Sequence, residues 1–440
     1  MNAATDARHA YLGQYAAAKA ALPGHRLPWL AERREAAIAR FAEQGFPTRK
    51  LEAWKFTDLR PLTRATFAPA RAHTNGIDRA AIAPHLTAGL DCHLLVFVDG
   101  HHRADLSDVG ALPAGARITG LADMLESDPE FVAAHLGDDD AFDGPAALNA
   151  ALAADGAVVA LAEGVALERP VHLLFIATGG DTLAALHLRN LIVAGTRARA
   201  TVIETYAATG AGGYWTNAVT DVVAESDAAL RHVKLQAESA VAFHLAATRA
   251  RIAKGGAYAS FAASLGARLA RNEIFAVLDG TGIDCCLAGT YLARGRQHMD
   301  TTTVIDHVAP GSHSNEHYRG VLDDEAHGVF QGRIIVRPNA QKTDAHQLNK
   351  NLLLSESAQV DSKPELEIRA DDVKCSHGAT VGELDSEALF YLRSRGLDLG
   401  LAERLLIEAF VAEIVEAVEA GPLRDHVWRA VAGWLPGLER

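Results

Sequence analysis

The sequence predicts a mainly β protein: a β-solenoid core with helical regions at both ends. Three observations lead there. Between residues 156 and 381, short runs of β-branched and aliphatic residues alternate with Gly, Asp and Asn turns, and no amphipathic helix of ordinary length interrupts them. Turn signals at Gly195-Thr196, Ser226-Asp227, Gly255-Gly256, Asp279-Gly280-Thr281 and Pro310-Gly311 recur about every 24 to 31 residues, the spacing of solenoid coils. Helical periodicity is confined to the two ends. A sandwich fits this recurrence less well.

At the N-terminus, Tyr11, Tyr15, Ala18 and Leu22 recur at helical spacing until Pro23-Gly24 breaks the pattern. A second helix is expected over 30–42, ending near Gly45-Phe46-Pro47, and a short loop then carries Trp54 and Phe56. Residues 64–150 are mixed, with one strand signal in the run Leu94-Leu95-Val96-Phe97-Val98 closed by Asp99-Gly100. In the core, Ala198, Ala200 and Val202 alternate with Arg197, Arg199 and Thr201, and Val233 and Leu235 with Lys234 and Gln236, so one face packs and the other is wetter.

Near the C-terminus, Asp385 or Ser386 caps a helix holding Leu389, Phe390 and Leu392, which Gly396 stops. A second helix places Leu401, Leu405, Phe410, Ile414 and Val418 opposite Glu403, Glu408 and Glu416, until Gly421-Pro422 ends it. A third is expected over 426–435. These helices either cap the open end of the solenoid or offer a groove to a partner. The chain thus divides into an N-terminal helical and mixed region (1–150), a β core (151–382) and a C-terminal helical domain (383–440).

Composition removes several functions. The 440 residues are 49% apolar and 22% charged, enough for a sizeable core, and the net charge of −13 lacks the basic footprint of a nucleic-acid binder. The N-terminus shows no signal-peptide pattern, and the most apolar stretch, 157–177, is broken by Glu163, Glu168, Arg169, Pro170 and His172. A cytoplasmic location is expected. No phosphate-binding loop, dinucleotide fingerprint, serine-nucleophile elbow or paired-histidine zinc motif occurs. Because β-helices also host polysaccharide lyases and hydrolases, Asp323-Asp324-Glu325 with Arg319 and Arg333 form an alternative catalytic reading.

Seven of the 20 histidines lie between 298 and 377: His298, His307, His313, His317, His327, His346 and His377. Stacked along one side of a solenoid they would suit a transition metal; in corners they would be hydrogen-bonded structural groups. The four cysteines, Cys92, Cys285, Cys286 and Cys375, are too scattered for a disulfide framework and suggest a reducing compartment. Cys375 and His377 sit two residues apart, so on a strand they share a face and can approach one metal or a partner's thiol. Cys285-Cys286 would face opposite sides, one of them into the core. A typical iron-sulfur cluster needs about four ligands, so any cluster here would have to be completed by another subunit.

The run PNAQKTDAHQLNKNLLLSESAQVDSKPELEIRADDVKCSHGATVG from Pro338, followed by LFYLRSRGL, resembles the C-terminal core shared by the SufB and SufD proteins of the SUF iron-sulfur assembly system. GFPTRKLEAWKFTDLRPL at 45–62 resembles the SufD side of that family, and the Cys-rich N-terminal motif of SufB-like chains is missing. The resemblance implies a non-enzymatic scaffold subunit built on a right-handed parallel β-helix. It would pair with SufB through the β-helix, dock the SufC ATPase through the C-terminal helices, and self-associate as a homodimer when isolated. His377 matches a family histidine tied to iron loading or nascent cluster assembly at the SufB interface, with Cys375 as a companion metal-site candidate. No cofactor is expected on the chain alone: iron or a transient cluster would be held with SufB, and any flavin would belong to the complex.

Overall fold

Sixteen strands, from Ala157–Leu161 through Lys374–Gly382, alternate between two sheets, and within each sheet successive strands of this set pair in parallel. The computed structural model describes residues 3–72, 76–137, 144–180 and 182–435; positions 436–440 of the expected C-terminal domain lie outside the described residues. This topology is a parallel β-solenoid with helices at both chain ends, as the turn spacing predicts. Coil length follows from register: Phe243 pairs with Leu269, 26 residues on, and His327 with Gln359, 32 residues on.

The corners explain the recurring turn signals. Arg197, Asp227 and Gly255 occupy left-handed backbone (φ 61°, 59° and 68°) in three stacked turns, and their amides donate to Ser226, Lys254 and Thr281 carbonyls in the next turn. At Gly255 a Cβ would sit 2.2 Å from Asp227 Oδ1, so glycine answers both the dihedral and the crowding.

Inward positions alternate along each strand and stack in columns between coils. One column runs Phe97, Phe175, Tyr206, with ring centroids 5.1 and 4.7 Å apart. Another runs His232, Ser260, Leu287, Glu316, Gln347, His377. The lumen is therefore partly polar: buried Lys234 donates to Asn272 Oδ1 (3.0 Å), and Gln347 Nε2 to Glu316 Oε2 (2.6 Å). Such groups are tolerated in an interior only with partners of this kind.

The N-terminal region covers the outer face of the first sheet. Helices Ala3–Ala18 and Pro28–Gln44 bring Tyr11 and Phe41 together with Phe46, Phe67 and fully buried Trp215. A strap, residues 45–67, then runs along the coils. Trp54 lies under the Arg271 guanidinium (4.0 Å), Thr57 donates to Asp300, and Lys363 bridges to Glu52 at 2.6 Å. The strand expected at 94–98 is His93–Val98; Asp99 and Gly100 both take positive φ, and His101–His102 returns antiparallel. His93–Val98 pairs with Val171–Ala177 and Ala116–Gly120 with Ala157–Leu161, so strands from before residue 150 extend both sheets.

The C-terminal helices are Ser386–Ser394, Leu399–Val415 and Pro422–Trp434. Asp385 Oδ1 accepts from the Glu387 amide and Asp398 Oδ1 from the Leu401 amide, both at 2.9 Å. Two expectations need correction. The buried stripe of the middle helix is Ala402, Ile407, Val411, Ile414 and Val415, whereas Leu405 is exposed and Phe410 half-buried. This helix is apolar nearly all round, so periodicity alone admits more than one stripe. Nor do the helices cap the solenoid's end: they lie along the outer face of the second sheet, against Val233, Phe261, Leu292 and Val321. The final strands, Gln359–Ile368 and Lys374–Gly382, contain no fully buried residue.

Candidate functional site

Cys375 and His377 lie on the last strand, where the solenoid ends on unpaired backbone. Their register partners, Ala345 and Gln347, are 0% and 2% exposed, so both follow inward-facing columns, the shared face that their spacing predicts. Their surroundings differ. Cys375 packs beside Ile334, Val336, Ala345 and Ala370; burial pushes its thiol pKa up, and the Asp344 carboxylate adds to the rise. His377 has no further coil to cover it and is exposed. It continues the line of Glu316 and Gln347 to the surface. A neutral imidazole there is a borderline donor suited to iron or zinc.

The outward face of the same edge carries a second polar group. His346 Nδ1 and Ser376 Oγ are 2.7 Å apart, His346 Nε2 lies 2.8 Å from Asp344 Oδ1, and the His313 ring follows one coil back at 6.4 Å between centroids. The seven histidines do not form one row. His298 and His327, 29 residues and one coil apart, meet through their Nδ1 atoms at 3.1 Å; His298 also reaches Thr57 Oγ1 (2.8 Å) and His327 reaches Asp361 Oδ2 (2.7 Å). His307 is fully buried against Ser314 Oγ, and burial pushes its pKa down to about 4. His317 Nε2 accepts from Arg319 Nε at 3.3 Å. Among the described residues no group of three or more His, Cys, Asp or Glu is arranged to hold a metal ion.

Cys285 faces the lumen and is fully buried, which pushes its thiol pKa far up, while Cys286 is half-buried on the other face. The alternative catalytic set does not assemble. Arg319 lies on the second sheet beneath the middle C-terminal helix, donating to the Phe410 carbonyl (2.6 Å) and pairing with Glu413. Arg333 lies on the first sheet and pairs with Glu367. Asp324 sits in a corner, accepting from the Gly295 amide at 2.9 Å.

Sequence reasoning offered the C-terminal helices as a partner surface but did not say which of their residues stay uncovered. Ser386–Ser394 buries no residue; Phe390 is 75% exposed and Tyr391 56%, with Leu399 and Leu405 also exposed nearby in the chain. Large apolar groups grouped in this way mark interaction surfaces. Among the described residues no helix is long and apolar enough to cross a membrane.

Comparison with known proteins agrees with this architecture. The family model for the SUF system FeS cluster assembly SufBD core domain matches residues 175–410, and that for the SufBD protein N-terminal region matches 5–173. The chain is 33% identical over 398 residues to the iron-sulfur cluster assembly protein SufD of Escherichia coli, covering 90% of this chain and 91% of that one. It is 31% identical over 412 residues to an iron-sulfur cluster assembly SufBD family protein of Synechocystis, covering 92% and 90%. The SufD protein of Bacillus subtilis matches at 32% over 277 residues, 61% of this chain and 62% of that one. With both halves matched and a parallel solenoid between helical ends, the chain belongs to the SufBD family of iron-sulfur cluster assembly proteins.

Proposed function

We propose that the chain is the SufD-type scaffold subunit of a SUF complex: a non-catalytic partner of SufB that docks the SufC ATPase and supplies His377 to the site where iron is loaded or a nascent cluster forms. The observation that carries this reading is the open last coil, where His377 follows an inward column yet stands exposed for want of a neighbouring coil. A partner solenoid seated on that edge would satisfy its unpaired backbone and enclose the imidazole. SufB would then add thiolate and carboxylate ligands, with the cluster as cargo of the shared site. Cys375 is the secondary candidate, since its apolar packing disfavours the thiolate.

The exposed Phe390, Tyr391, Leu399 and Leu405 suit SufC. The adjoining helix packs directly on strands Asp284–Ala293 and His313–Leu322, so SufC movement would load the solenoid near its open end. The test is co-purification with cognate SufB and SufC, followed by iron and acid-labile sulfide analysis. The complex with His377→Ala is expected to assemble but to hold little iron and sulfide. Wild-type content in that variant would reduce the chain to a structural adaptor, and failure to bind SufB would reject the reading.

A further inference from the structure

We propose that a cleft along one corner row of the solenoid binds a condensed phosphate. The cleft measures about 1150 Å3; Arg49 and Phe56 of the strap form one wall, Trp434 of the last helix another, and Arg268 reaches it from one corner and Arg294 and Arg296 from the next. In a chain of net charge −13, four guanidinium groups around one cleft run against the overall balance. Low-dielectric walls lined by one sign of charge concentrate the potential within them.

The lining carboxylates are already engaged in hydrogen bonds or ion pairs, which leaves them less free to fold onto the arginines. Asp58 accepts from Arg60 Nε (2.6 Å), Glu238 lies 2.7 Å from His244 Nδ1, and Asp361 lies 2.7 Å from His327 Nε2. The arginines are less committed. The Arg268 side chain is exposed and has no ion pair or hydrogen bond among the described residues. Arg296 comes no closer than 3.6 Å to Glu325, both side chains being largely in solvent, and Arg49 uses Nε on the Lys55 carbonyl (2.9 Å). Arg294 is fixed, stacked over Trp434 at 4.8 Å and donating to its carbonyl.

Trp434, 7% exposed, gives the cleft an apolar wall. Arginine forks match phosphoryl oxygens in pairs. Neighbouring coils lie about 4.8 Å apart, so guanidiniums from successive corners suit two linked phosphoryl groups better than a single carboxylate.

Titration calorimetry of the full chain with inorganic pyrophosphate tests the site, with ADP as a second arm. Wild type is expected to bind saturably, and Arg268→Gln with Arg296→Gln to weaken binding at least tenfold at an unchanged thermal midpoint, since both side chains are exposed. ADP binding more tightly than pyrophosphate would assign the phosphate to a nucleotide whose ring lies on Phe56 or Trp434; equal affinities would assign it to the inorganic anion. Absence of binding for both at about 1 mM, equivalent to roughly −4 kcal/mol, or affinity unchanged by the double substitution, would overturn the proposal.

Discussion

Glu316→Gln should make the protein more stable, and more so as the pH rises. Glu316 is 0% exposed inside the solenoid; one carboxyl oxygen accepts from Gln347, and the Thr303 hydroxyl lies beside the carboxyl. Burial pushes its pKa from 4.5 up to about 7. Between these values the folded chain holds a proton that the unfolded chain has released, so folding stability is lost as pH rises through that window. Glutamine keeps the volume, still accepts from Gln347, and does not titrate. At ~1.4 kcal/mol per pH unit, the variant's advantage at pH 8 is capped at about 3 kcal/mol, most of which develops between pH 5 and pH 8. Urea unfolding followed by tryptophan fluorescence at both pH values measures it, provided that the denaturant slopes agree. A gap of equal size at the two pH values would refute the reasoning.

Phe330→Ala removes a fully buried ring packed 5.4 Å from Tyr318, and should cost about 3–5 kcal/mol in the same unfolding measurement. Phe390→Glu combined with Tyr391→Glu should leave the thermal midpoint unchanged, because both side chains are mostly exposed, while weakening SufC capture at least tenfold in a pull-down titration. Iodoacetamide followed by mass spectrometry should find Cys285 unreactive in the native chain and Cys375 slower than the same thiol in urea, because burial raises both pKa values. Rapid native labelling of Cys285 would contradict its place in the lumen.

Local chemistry made the coils legible. Several corners that need left-handed backbone advertise themselves through Gly or Asp, as at Asp227 and Gly255 but not at Arg197, and the 29-residue step from His298 to His327 is one coil length. The shared face of Cys375 and His377 follows from strand alternation alone. What sequence did not show depends on distant partners. The Thr57–Asp300 contact joins residues 243 positions apart, and neither side carries a periodic signal. The side-on docking of Leu399–Val415 was hidden because its apolar residues surround most of the helix, so only the second sheet decides which ones are covered. The polar lumen was equally hidden: Lys234 and Gln236 read as the wetter face beside Val233 and Leu235, yet both are buried, while Val233 and Leu235 pack under the C-terminal helices.

Stacked coils also turn the molecule into a ruler. The middle C-terminal helix rests on Asp284–Ala293 and His313–Leu322, and the strand bearing His377 follows two coils after the second of these. At about 4.8 Å per coil, roughly 10 Å separates the docked helix from the open edge. Corner length does not enter that distance, because coils from 26 to 32 residues advance by the same step. Insertions at corners therefore leave the spacing intact, whereas gain or loss of one whole coil would shift the edge by about 5 Å with both surfaces unchanged. Coil number, rather than chain length, is the quantity to which an assembly built on both surfaces would be sensitive.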